Sequence, residues 1–203
     1  MTDDKNEKSG DGISEEEYER YSVDLQLRWP YNRKAFQLLS AMKGEDPRRY
    51  VEFARSARPF EAGCVGYFKG NLFPAACNNI GIWGQEHVLE TGFANKAEYQ
   101  DWMRRTRFPI IKTWIARCRP KLLICSGITY VRDFLAMAEV HDVPEPHIVT
   151  VNGHDKRIYV SKTGLVPIVV TPHLSGGPHS LNSYQAISDT AEYIKVCFPD
   201  MQF

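Results

Sequence analysis

The sequence predicts an α/β fold, with a central, largely parallel sheet carrying helices on both faces. Three observations predict it. Lys121–Ser126 contains a continuous apolar run closed by Gly127, and Ile128, Val131, Phe134, Leu135 and Ala138 follow at helical spacing. A second apolar run, Val166–Thr171, leads through a Gly/Pro/Ser loop into a helical pattern from about Ser183 to Val196. Strands that are apolar throughout are those buried on both sheet faces, and such strands belong to parallel sheets crossed by helices. Hydrophobic residues make up 43% of the 203, enough for one buried core.

The elements follow in order. Residues 1–20 read as a disordered acidic leader, and residues 21–203 as a single domain. Val23, Leu25 and Leu27 alternate with Asp24, Gln26 and Arg28, which predicts a short strand ending at Trp29-Pro30-Tyr31. Ala35, Phe36, Leu38, Leu39 and Met42 have helical spacing, and Gly44 closes that helix. Asp46-Pro47 suits the N-cap and first position of a second helix through Tyr50, Phe53 and Ala54. Cys64–Lys69 predicts a second strand, running into Gly70-Asn71-Leu72-Phe73-Pro74. Ala97–Cys118 is helical, interrupted or kinked near Pro109, with Trp102, Ile111, Trp114 and Ile115 turned to the core. Further strands are expected at His147–Val151 and Ile158–Val160.

Charge and composition limit the function classes. Twenty-five basic residues balance twenty-five acidic ones, but eight acids against three bases leave residues 1–20 at −5 and the remainder at +5. That surplus suits contact with a few phosphates. Residues 28–69 hold nine bases against four acids, and Arg104–Lys121 form another basic cluster interleaved with aromatics. No apolar run reaches membrane-spanning length, and the polar, acidic start lacks the features of a signal or transit peptide. Five cysteines without a CxxC pair suit a reducing, cytoplasmic setting. Six dispersed histidines offer no ligand-spaced cluster, so neither a metal nor another cofactor is expected, and the chain is read as a monomer.

Ligands of open α/β sheets sit beyond the carboxyl ends of the strands, which directs attention to the loops there. After Val170 the chain reads Thr171-Pro172-His173-Leu174-Ser175-Gly176-Gly177-Pro178-His179-Ser180. Glycines allow backbone N–H groups close to an anion, and a histidine at such a point donates to a developing oxyanion or touches a phosphate. After Lys69, the Asn71 amide suits reading a base edge, and Phe73 or Phe68 suits stacking on a planar ring.

The motif order resembles the uracil-DNA glycosylase superfamily. Arg119-Pro120-Lys121-Leu122-Leu123-Ile124-Cys125-Ser126-Gly127 is similar to that family's third strand, and His173-Leu174-Ser175 to its "HPS" motif with Leu174 in place of proline. Pro30-Tyr31 match the Pro-Tyr pair of its first motif, whereas Trp29 stands where a water-positioning aspartate is usual. The resemblance implies a three-layer sandwich around a mostly parallel four-stranded sheet. It implies His173 as stabiliser of a departing base anion, Ser175 with Gly176, Gly177 and His179 on phosphate, and Asn71, Phe73, Tyr31 and Trp29 around the base. Asn32 or Asp24 stands in for the missing carboxylate, with Asn32 taken as the catalytic candidate.

Three readings stay open at this point. One is a DNA glycosylase-like protein that binds a flipped-out, deaminated or damaged base and hydrolyses its N-glycosidic bond. Another is a catalytically silent protein of that fold, binding nucleic acid or a protein partner. The third is an unrelated α/β enzyme acting on a phosphorylated small molecule through His173 and the glycine loop.

Overall fold

A computed structural model describes residues 14–75 and 82–203. The chain is α/β, built on a four-stranded mixed sheet. Its strands are β1 (Leu123–Ser126), β2 (His147–Val151), β3 (His154–Ser161) and β4 (Ile168–Thr171), in the order β1-β4-β3-β2. Only β1 and β4 run parallel, pairing Leu123 with Ile168 and Ser126 with Thr171. Both β2–β3 and β3–β4 are antiparallel. The expectation of a mostly parallel sheet is therefore corrected, and the cause is local. Asn152-Gly153 joins β2 to β3 with φ of 52° and 74°, the left-handed pair of a two-residue hairpin turn, so no helix crosses between those strands.

Helices cover both faces. On one, α3 (Pro30–Met42) and α8 (Tyr184–Cys197) bury Ala35, Leu38, Ile187 and Ile194 against Val151, Ile158 and Val169. On the other, α6 (Lys96–Cys118) and α7 (Val131–Met137) bury Phe108, Ile115, Phe134 and Leu135 against Cys125, Ile168 and Val170. Successive β4 residues point to opposite faces and all four are buried, as its unbroken apolar run requires. Ser183 caps α8 by accepting from the Ala186 N–H at 3.1 Å, and Asp46 accepts from Arg48 at 2.9 Å ahead of α4 (Tyr50–Ala57). A short α5 (Gln85–Thr91) precedes α6, which passes through Pro109 without interruption.

Two expected strands are absent. Residues 22–27 form α2 (Val23–Gln26), with Ser22 accepting from the Leu25 N–H at 3.3 Å. Four residues cannot separate a period of 2 from one of 3.6, and the cap decides. Cys64–Lys69 is irregular because Gly63 and Gly66 take φ of 82° and 104°, which breaks any extended ladder. Within the stretch read as acidic leader, Glu15–Glu19 is α1, opened by a capping box in which Ser14 and Glu17 bond one another's backbone N–H; residues 1–13 lie outside the described residues. Among the described residues no helix is long and apolar enough to cross a membrane, and no three His, Cys, Asp or Glu gather as metal ligands.

Candidate functional site

The parallel pair ends where the loop chemistry begins. Gly127 N–H donates to Thr171 O at 2.9 Å, locking the last residues of β1 and β4 together. From there the chain doubles back. Leu174 N–H reaches the Ser126 hydroxyl at 3.2 Å, and Leu181 N–H bonds His173 O at 2.9 Å, closing residues 173–181 into a loop. Leu174 is buried and His173 exposed, so the motif leucine anchors the loop and turns the imidazole outward. Two lysines pin the rest. Lys34 of α3 donates to Asn182 O at 3.0 Å, and Lys156 of β3, only 2% exposed, donates to Pro178 O. Burial lowers the Lys156 pKa below its ordinary value.

Tyr31 and His173 meet beside these strand ends, their ring centroids 5.4 Å apart and tilted by 49°. Tyr31 lies in the first turn of α3, where Pro30 sets the helix start. Burial raises its pKa, and a hydrogen bond with Ser126 acts in the opposite direction. The His173 Nδ1 contacts both backbone groups of Ser175, its carbonyl and, at 3.3 Å, its N–H. Those contacts call for opposite tautomers. Accepting from the N–H leaves the proton on Nε2, free to donate to an anion; donating to the carbonyl leaves Nε2 as an acceptor.

The other sequence-predicted residues lie in different settings. Trp29 is exposed and stacks on Tyr21 at 5.7 Å. Asn32 is buried, its carbonyl accepting from Lys69 Nζ at 2.9 Å while its amide donates to the Tyr21 hydroxyl at 3.0 Å and Gln26 O at 3.3 Å. Lys69 also bonds the Tyr21 hydroxyl and sits 4.7 Å from the Tyr21 ring centroid. Asn71 has an exposed side chain, and its carbonyl accepts from Arg107 at 3.1 Å. Phe73 is enclosed by Tyr99, Phe108 and Tyr130, with the Arg104 guanidinium 5.8 Å from its centroid. No hydrogen bond or ring contact joins Trp29, Asn71 or Phe73 to His173 among the described residues.

In the glycine loop, Gly176 has φ of 130°, and the Gly177 carbonyl accepts from Ser180 Oγ at 2.6 Å and Asn182 at 3.2 Å. His179 is exposed, edge-on to His154 at 5.4 Å. Ser175 is half-buried. Sequence reasoning singled out neither Ser126, Lys156, Lys69 nor Tyr21. Ser126 carried a signal, as the one polar residue closing an apolar strand; Lys156 carried none.

Two cavities lie away from these residues. One of ≈ 590 Å³ is lined by Lys112, Arg132, Leu135 and Glu139, and one of ≈ 550 Å³ by Lys121, Lys162 and Cys197–Gln202. Neither Tyr31 nor His173 lines either cavity. Compared with known protein families, curated proteins and solved structures, the chain matches none.

Proposed function

We propose that the protein binds an unstacked base of DNA, deaminated or damaged, at the carboxyl ends of β1 and β4, in the manner of a uracil-DNA glycosylase-like protein. One observation carries this reading: the Tyr31–His173 ring contact. Pro30-Tyr31 and His173-x-Ser175 lie far apart in the chain and carry the resemblance to two separate motifs, and they adjoin at a strand end. Tyr31 supplies an aromatic edge for a base, His173 Nε2 a donor for an anionic oxygen, and Ser175 with Gly176 polar groups for a neighbouring phosphate.

Asn32 favours a second reading, base binding without hydrolysis. Its carbonyl and its amide already bond Lys69, Tyr21 and Gln26, so it has no free group with which to position water. Trp29 supplies no carboxylate in its place.

The test is anisotropy binding of single-stranded oligonucleotides that differ by one uracil-for-thymine replacement, with alkaline strand scission to report base release. Preference for uracil that is lost in His173→Ala supports the site, and release of free uracil selects hydrolysis over binding alone. Equal affinity for both oligonucleotides, unaltered by His173→Ala, overturns the reading.

A further inference from the structure

Helix α6 is expected from its sequence to turn Trp102 and Trp114 inward, and the structure turns both outward. Only Tyr99, Phe108 and Ile115 of its 23 residues are buried hydrophobics. Arg107, Ile110, Trp114 and Arg117 recur at intervals of three and four, which places them in one row along the helix. Ile110 and Trp114 of that row are exposed, Trp114 by 43%. Phe68, 80% exposed, meets the Trp114 ring edge-on at 6.3 Å. Arg107 holds this neighbouring segment in place through the Asn71 carbonyl.

Beyond Asp101 the charge of the helix has one sign. Residues 102–121 contain seven bases and no acid. Arg104 is taken up by Asp101 and Asp133, and Lys112 lies 4.0 Å from Glu139. Arg105, Arg107, Arg117 and Arg119 have no carboxylate within ion-pair distance among the described residues. An apolar protein partner needs no such excess of unpaired cations. A polyanion with exposed rings does: its phosphates release counterions to the arginines, and its bases find flat aromatic faces.

We propose that the outward face of α6, with Phe68 beside it, is a docking surface for single-stranded nucleic acid. Bases stack on Trp114 and Phe68 while Arg107 and Arg117 of the same row, with Arg119 just beyond the helix end, meet phosphates. The surface shares with the Tyr31–His173 site only the class of partner.

The experiment uses the full chain and fluorescein-labelled oligo(dT), which carries no uracil. Affinity should fall with salt at a slope of about −0.7 per phosphate contact, close to −2 for three arginines. Trp114→Ala should weaken binding roughly tenfold. Arg117→Gln with Arg119→Gln should reduce the slope by about 1.4. Trp114→Ala should leave the ratio of uracil- to thymine-oligonucleotide affinity unchanged, whatever it does to oligo(dT) binding. The proposal is overturned if Trp114→Ala binds as tightly as the parent, or if inorganic polyphosphate of equal charge competes as well as the oligonucleotide. It is equally overturned if oligo(dT) fails to bind and Trp114→Ala instead abolishes concentration-dependent self-association, which would make a second copy the occupant. Absence of any uracil preference in the parent protein, with oligo(dT) binding intact, refutes the base site alone.

Discussion

Replacing Asn32 with alanine separates a structural residue from a catalytic one. The side chain is 2% exposed and makes three hydrogen bonds, to Lys69 Nζ, the Tyr21 hydroxyl and Gln26 O. Each such bond contributes about 1 kcal/mol net, so Asn32→Ala should cost about 2–4 kcal/mol. In a chain of this length that lowers the melting temperature by roughly 5–12 °C. Asn32→Asp should cost less, since a carboxylate still accepts from Lys69 and from the Tyr21 hydroxyl, and the Gln26 carbonyl keeps its bond from Trp29 N–H at 3.2 Å. Urea denaturation and calorimetry measure both variants, with uracil-oligonucleotide binding measured alongside. If Asn32→Ala melts with the parent protein while base binding or release disappears, Asn32 touches the ligand and its assignment as scaffold is wrong.

Further expectations concern charges and thiols. Lys156→Met should raise stability at pH 7, because the native state holds a buried ammonium whose pKa is lowered by desolvation. The unfolded chain keeps its proton up to the ordinary 10.5, so the parent gains stability as pH rises through the lowered pKa toward that value, and the variant's advantage should shrink over the same range. An advantage independent of pH in urea titrations refutes this. Arg104→Met should cost about 2–3 kcal/mol, since it strands the largely buried Asp133 carboxylate bonded at 2.7 and 3.0 Å, whereas Asp101→Asn on the exposed side should cost under about 1 kcal/mol by the same assay. In native-state alkylation followed by mass spectrometry, exposed Cys118 should react before half-buried Cys64 and Cys197. Cys125 should stay unmodified, because burial pushes its pKa up to about 12.

Long periodic segments were legible in the sequence. The apolar rows of α3 and α8 and the unbroken runs of β1 and β4 fix their own type, because each must bury a defined face. Strand direction is expected to be largely parallel, although a signal against it is present in the sequence. Val151-Asn152-Gly153-His154 sits between two alternating runs, and Asn-Gly there specifies a hairpin. At residues 22–27 no periodicity is long enough to decide, and the Ser22 cap outweighs the alternation.

The site divides along the same line. The rule that ligands sit beyond carboxyl strand ends leads to the His173 loop, and Pro30 marks the start of α3 beside it. Asn71 and Phe73 share a loop in sequence, yet one side chain is exposed and the other enclosed by three aromatic rings. Local composition cannot reveal which way a loop residue turns. Trp102 and Trp114 mislead for a related reason. Tryptophan at helical spacing fits a core, and only the packing of α6 against α7 shows which side of the helix that core occupies.

The mixed sheet has a kinetic consequence. The β2–β3 hairpin closes across a two-residue turn, so its ladder forms between neighbours in the chain. β1 must wait for β4, which follows α7, the entire hairpin and a further loop. Closing that long segment carries a larger entropic barrier before any contact offsets it. The approach of Ser126, Tyr31 and His173 depends on this late pairing, so during refolding hairpin structure should return before affinity for an oligonucleotide. Substitutions that loosen Ile124 or Val169, far from any ligand atom, should delay the recovery of binding more than the recovery of the hairpin.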